Sequence, residues 1–236
     1  MANREAIALD PCERADGRAV LVCVDGGRLR ERKPKRGRRQ KGQGYHTDWR
    51  EPIYIVIQCL NADGRKTDGF LPIYDATMGD IDQAFELLEA YLRRLGIGKA
   101  EQVIFCADGA RSYWKRFGPL AKKLNLTGCF EVIDYTHAKQ NLLQIAEVLP
   151  QKIAHAKKSQ IAKKWTDLMW NKDLHEIKRQ ISELVTFKQK RKKALAKFKS
   201  YFLDNYHRMQ YAAFRYFNAA TGSNNLLVAE GHTRPP

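Results

Sequence analysis

Three apolar runs in this chain each stop at an aspartate: AVLVCVD at 19–25, QVIFCAD at 102–108 and CFEVID at 129–134. Runs this short, bounded by turn residues, fit strands rather than helices. QVIFCAD is apolar from Val103 to its final Asp108, the pattern of a central parallel strand covered on both faces. A carboxylate at such a tip has two uses. Asp-Gly, at 25–26 and again at 108–109, is a common turn, and Asp often caps the helix that follows. A carboxylate on a rigid strand end is also well placed for a metal.

The surrounding pattern gives the remaining elements. IYIVIQCL (53–60) reads as a second strand, with a hairpin turn at NADGR (61–65). TDGFLPIYD (67–75) reads as a third, at a sheet edge because Pro72 cannot donate to a ladder. Between Asp80 and Leu95, Ile81, Ala84, Phe85, Leu88, Tyr91, Leu92 and Leu95 recur at helical spacing, and Gly96 stops them. A short helix is predicted over 111–125, and another over 136–149, capped by Thr136 and stopped at Pro150. GGRLRERKPKRGRRQKGQG (26–44) reads as a low-complexity basic loop, too charged and too rich in Gly to pack. After Gln151 no strand pattern appears. Lys-rich helical stretches run to about Phe217, anchored by residues such as Trp165, Ile177, Ile181, Phe198, Phe202 and Tyr211.

The order β-β-β-α-β-α-β-α predicts an α/β protein of the ribonuclease H-like kind: a mixed five-stranded sheet with helices, followed by an all-α basic insertion. The expected divisions are an N-terminal extension (1–18), a core (19–150, with the basic loop 26–50), a helical insertion (151–218) and an irregular tail (219–236). In such a sheet the first and fourth strands are neighbours. Asp25 and Asp108 would then lie within metal-bridging reach, as oxygen ligands suited to Mg²⁺. Two such ions activate water or a 3′-hydroxyl and stabilise the leaving oxygen in phosphodiester chemistry. That chemistry normally needs a third acid.

Charge is partitioned. The chain carries a net +16. Residues 28–41 hold nine Lys/Arg against one acid, and residues 151–200 hold fifteen against four, so the rest of the chain is slightly acidic. Two basic segments beside a near-neutral body predict a polyanionic partner, nucleic acid first. Arg28, Arg30, Arg32, Lys33, Lys35, Arg36, Arg38, Arg39 and Lys41 are the candidate phosphate contacts, read as an arm that orders on binding. The five cysteines, 12, 23, 59, 106 and 129, contain no CxxC pair, which argues against a disulfide framework or a structural zinc site. A reducing cytoplasm, with association with the nucleoid, is expected. No run approaches membrane-spanning length, and the N-terminal residues have no signal-peptide core.

FCADGARSYW followed by VIDYTHAKQNL resembles the core of bacterial insertion-sequence DDE transposases related to the Mutator-like group. VCVDGGRLR resembles the first catalytic stretch of that family, and YFLDNYHRMQYAAFRYFN (201–218) resembles the segment before its last catalytic helix. The resemblance covers about residues 19–223. It implies Asp25 and Asp108 as catalytic metal ligands, Asp134 and His137 as the ends of a supporting D-x-x-H element, and Mg²⁺ or Mn²⁺ as cofactor. It also implies transposon-end and target DNA as partners, and it allows a homo-oligomer.

One part of the pattern is missing. The family supplies its third acid from a G-S-G-x-V-E-S type segment, as a Glu opening the final helix. Here TGS (221–223) is followed by NNLLVAEGHTRPP, with Leu227 where the Glu is expected and Glu230 the only acid nearby. The expectation is a truncated or frameshifted copy with impaired activity. Glu147 is a surrogate candidate, though its helix reads as an ordinary packing helix. His137 either orients a carboxylate, contacts a phosphate, or simply bonds Asp134 at a helix start. Trp165 and Trp170 either stack on bases or fill a core. Three functions follow: a DDE-type transposase acting in DNA transposition and recombination, a non-catalytic DNA-binding remnant of one, and an RNA-processing nuclease of the same fold.

Overall fold

The computed structural model describes residues 15–34, 45–61 and 64–216. It contains seven strands, β1 (Ala19–Gly26), β2 (Leu29–Pro34), β3 (Tyr45–Arg50), β4 (Ile53–Leu60), β5 (Ile73–Thr77), β6 (Gln102–Ala107) and β7 (Cys129–Ile133). The helices are α1 (Ile81–Arg94), α2 (Arg111–Lys123), α3 (Tyr135–Ala146), α4 (His155–Trp170), α5 (Leu174–Leu184), α6 (Lys188–Phe198) and α7 (Tyr211–Tyr216).

Five strands form one mixed sheet in the order β5-β4-β1-β6-β7. The pairs β1–β4 and β4–β5 are antiparallel; β1–β6 and β6–β7 are parallel. The apolar runs explain the centre. Val20, Leu21, Val22, Ile104 and Phe105 are all at most 1 % exposed, because helices cover both faces of the parallel half. Cys23 faces Cys106 across β1–β6, both buried and unbridged, acting as small hydrophobes.

The third strand is shorter and later than 67–75. It begins at Ile73, immediately after Pro72, and Gly69 upstream turns the chain at φ 83°. Pro72 thus delays the strand, and β5 does lie at the sheet edge. Asp80 caps α1, its Oδ1 accepting the Gln83 N–H at 2.9 Å, and Ala84, Phe85, Leu88 and Leu92 form the buried stripe. At the end of α1, Leu95 is its C-cap and Gly96 follows with φ 67°, as a glycine stop should.

The basic loop expected over 26–50 is instead a two-stranded ribbon at both its ends: β2 and β3 pair antiparallel. The register of β1–β4 runs unbroken into it. Gly26 faces Ile53, Gly27 N–H donates to the Pro52 carbonyl at 2.8 Å, and Leu29 faces Arg50. A side chain at 27 has no room, since a Cβ there would sit 2.2 Å from the Tyr54 ring. High charge does not prevent this, because a ribbon needs no core when its charges pair across strands. Glu31 takes Arg50 at 3.0 Å, and Lys33 takes Asp48 at 2.7 Å. Of the predicted basic arm, Lys35, Arg36, Arg38, Arg39 and Lys41 lie outside the described residues.

After β7 the described chain is helical. Trp165 and Trp170 are not base platforms. Trp165 is fully buried and its Nε1 donates to Gln180 Oε1 at 2.9 Å. Trp170 packs on Tyr135 and Tyr211, with ring centroids 5.1 and 6.0 Å away. Both Trp170 and Tyr211 therefore tie the later helices to the start of α3.

Candidate active site

The sheet's parallel half sets three acids on one level. Val24 faces Ala107, and Ala107 faces Ile133. Asp25, Asp108 and Asp134 are the next residues on β1, β6 and β7, and the Asp134 N–H donates to the Ala107 carbonyl at 2.9 Å. Neighbouring strands run about 4.8 Å apart, so the carboxylates share one short edge.

Their environments differ. Asp25 is 48 % exposed at its side chain. Partial burial pushes its carboxyl up; His137 pulls it down, while the Asp108 and Asp134 charges raise it further. Asp108 spends one oxygen on an Asx turn, Oδ1 accepting the Ala110 N–H at 2.8 Å, and its carbonyl accepts Trp114 Nε1–H at 2.9 Å. The turn and the site are thus the same residue, with Oδ2 left over. Asp134 is 4 % exposed at its side chain. Its Oδ1 accepts the N–H groups of Thr136 and His137 at 2.7 and 3.3 Å, so Asp134, not Thr136, caps α3. Asp wins because it sits at the last extended residue, where a carboxylate reaches the first free donors.

That cap places His137. Its Nε2 lies 4.0 Å from Asp25 Oδ2, and its Nδ1 lies 3.9 Å from Asp134 Oδ1, buried and without a hydrogen bond. The ring thus stands between two members of the row, within charge reach of both and hydrogen-bonded to neither. Glu147 is the C-cap of α3, exposed at the opposite end of that helix, and does not join the site.

Two tyrosines frame the row that sequence reasoning assigned no role. Tyr113 on α2 is buried with its hydroxyl beside Gly26. Burial and the charges of Asp108, Asp25 and Glu51 push it up to about 12, so it remains an O–H donor at neutral pH. Tyr201 lies in a single π-helical turn, Lys199–Leu203, and its ring rests on Gly109. Burial and the charge of Asp108 hold its hydroxyl well above the ordinary range, with the Asn141 side chain beside it. The only advance signal for Tyr201 was its place at the head of the family-like segment 201–218.

Among the described residues no three His, Cys, Asp or Glu side chains form a closed metal cage. Asp134 is turned into its helix cap, so the available donors are Asp25 and Asp108. Two carboxylates of mutually unfavourable charge fit Mg²⁺ or Mn²⁺, which takes one or two protein carboxylates and completes its shell with water and phosphate oxygens. A hollow of about 520 Å³ under the ribbon, lined by Leu29, Arg30, Glu31, Arg50 and Met78, does not include the acids.

The fold and site together define an α/β protein with a five-stranded mixed sheet and a carboxylate row at the C-terminal edge of its parallel strands. Comparison with protein-family models, curated proteins and solved structures brings no match to this chain. No described helix is long and apolar enough to cross a membrane.

Proposed function

We propose that the chain is a ribonuclease H-like DNA transposase of the DDE type, acting on phosphodiester bonds at transposon ends. The observation that carries this is the level row Asp25–Asp108–Asp134 on adjacent strands, with His137 seated between its ends. Asp25 and Asp108 would hold Mg²⁺ or Mn²⁺. Such an ion, when bound, supplies a nucleophile at neutral pH and offsets charge on the leaving oxygen. The remaining work falls to the protein. His137, seated by the Asp134 cap, sets its ring beside the Asp25 carboxylate. The Tyr113 hydroxyl offers a donor at the same edge. The Tyr201 ring, lying on Gly109, closes the side of the site toward the helices and keeps water from it. Leu227 stands where the resemblance puts the third carboxylate, so the proposed activity is impaired.

A second reading, a DNA-binding remnant without catalysis, is favoured by one observation: Asp134 is buried and committed to α3, leaving a pair of acids and no cage. Incubating the full chain with end-labelled duplex DNA and Mn²⁺ separates the two. Slow nicking that disappears in Asp108→Asn supports the transposase reading. Salt-sensitive binding with no nicking supports the remnant. Preferential cleavage of RNA or of an RNA–DNA hybrid would instead mark an RNA-processing nuclease.

A further inference from the structure

Helix α6 breaks the rules that stabilise a helix locally. Its first six residues, KQKRKK, hold five cations and no acid, and its N-cap, Phe187, offers no side-chain oxygen. Cations at a helix N-terminus work against the macrodipole, and like charges three or four residues apart repel. The preceding helix α5 is built the other way: Asp173 caps it, and Arg179 takes Glu176 and Glu183 at 2.7 and 2.6 Å. Ala194 and Phe198 anchor α6 in the core. Lys190, Lys193 and Lys197 are exposed, and their spacing of three and four residues sets them in one stripe along the helix. Lys190 lies over the Phe187 ring, 5.7 Å from its centroid, and Lys197 Nζ donates to Gln144 Oε1 of α3, so both charges meet neutral groups. No acid among the described residues forms an ion pair with any of the three. Four residues past Lys197 comes Tyr201, whose ring rests on Gly109, the neighbour of Asp108.

From this arrangement we infer that the Lys190–Lys193–Lys197 stripe docks on the phosphate backbone of duplex DNA and leads it to the acid row. The inference rests on the transposase reading above, which supplies DNA as the polyanion. Charge complementarity selects the occupant. Phosphates along the stripe offset both the mutual repulsion of its lysines and their conflict with the helix dipole, which nothing within α6 does. A helix that departs from its own local preferences is expected where a partner completes it. From Lys190 to Lys197 the stripe rises roughly 10 Å at ~1.5 Å per residue, the span of about three phosphates of one strand. Tyr201 then carries the same line to Gly109 and the strand tip that bears Asp108. Lysine suits this use: a point charge on a flexible stem follows a backbone without reading bases. The stripe supplies affinity and a path, and leaves sequence choice to other contacts.

The test uses the full chain and a fluorescent DNA duplex of mixed sequence, followed by anisotropy across a salt series, with an RNA duplex of the same sequence in parallel. Lys190→Gln, Lys193→Gln and Lys197→Gln combined keep helix propensity while removing the charge. They should weaken DNA binding about tenfold or more and lower the log–log salt slope by about 2.7, near 0.9 for each lost phosphate contact. Lys193→Gln alone should lower the slope by about 0.9. A control removes equal charge from exposed positions away from the acid row, with Lys66→Gln, Lys99→Gln and Lys122→Gln, and should leave the slope within about 1 of wild type. Circular dichroism checks that each variant is folded. Stripe variants that bind with wild-type affinity and slope, or that lose no more than the control, overturn the stripe assignment and leave the transposase reading standing. Tighter binding of the RNA duplex, lost with the stripe, overturns DNA as the occupant and the transposase reading with it. A wild-type chain that binds no DNA overturns both.

Discussion

The Asp25 carboxylate is held against its own ionisation. Partial burial is the largest cause, and the Asp108 and Asp134 charges add to it; His137 and the Gly26 N–H work the other way. Its folded pKa lies above the unfolded value, so the folded state binds the proton more tightly. The stability this contributes is present at acid pH and is lost as pH rises through the folded pKa. At neutral pH the ionised residue therefore costs stability. Asp25→Asn should raise the melting temperature at pH 7, and thermal scans should show the gap closing as pH falls through the carboxylate range. Under the proposed function, loss of activity with gain of stability is the trade expected of a site that concentrates like charge. Gly109 makes a second residue-scale prediction. A Cβ there would stand 2.3 Å from the Tyr201 ring. Gly109→Ala should cost about 1–3 kcal/mol in urea unfolding, and less in a Tyr201→Ala background, where the obstruction is gone. Asp25 and Asp108 were legible from sequence because an apolar run ending in Asp marks itself. Tyr201 was not, since its meeting with Gly109 spans ninety-two positions and leaves no local trace.

At the scale of elements, the helices after α3 share one apolar core with the sheet, and polar and aromatic contacts add to it. Arg208 is the clearest. Its guanidinium lies over the Trp114 ring of α2, 4.5 Å from the centroid, while Nε donates to Glu131 Oε2 of β7 at 2.6 Å. Both ends of this pair are largely covered, at 16 % and 28 % exposure, so it is worth more than a surface ion pair. Arg208→Ala should destabilise the chain by about 2 kcal/mol, and Arg208→Lys should recover little, because a point charge neither stacks on the indole nor keeps the planar fork. Chemical unfolding curves measure both. The helices themselves were readable from spacing. The ribbon was not. Its strands, LRERKP and YHTDWR, carry no apolar alternation, and the charges that pair across them lie 15 and 19 residues apart in sequence. The α3 cap shows the same limit on a smaller scale. Thr136 and Asp134 are both good caps, and only the end of β7 decides between them.

Over the whole molecule, topology does what no single motif does. The antiparallel start, β5-β4-β1, and the parallel continuation, β1-β6-β7, bring residues 25, 108 and 134 to one edge. The same antiparallel start continues into the ribbon just beyond Asp25. The sheet order was legible because strand lengths, apolar runs and the intervening helices permit few arrangements. The charge partition was legible as composition, but where the lysine stripe of α6 ends depended on the meeting of Tyr201 with Gly109. The proposed function requires Asp25 and Asp108 to form one divalent-cation site. Isothermal titration of the full chain with Mn²⁺ at neutral pH measures this without requiring turnover. Saturable binding that is lost in Asp25→Asn and in Asp108→Asn, and kept in Glu147→Gln at the far end of α3, is the predicted result. Binding of Mn²⁺ by either Asp variant as by wild type, or no binding by wild type, would contradict it.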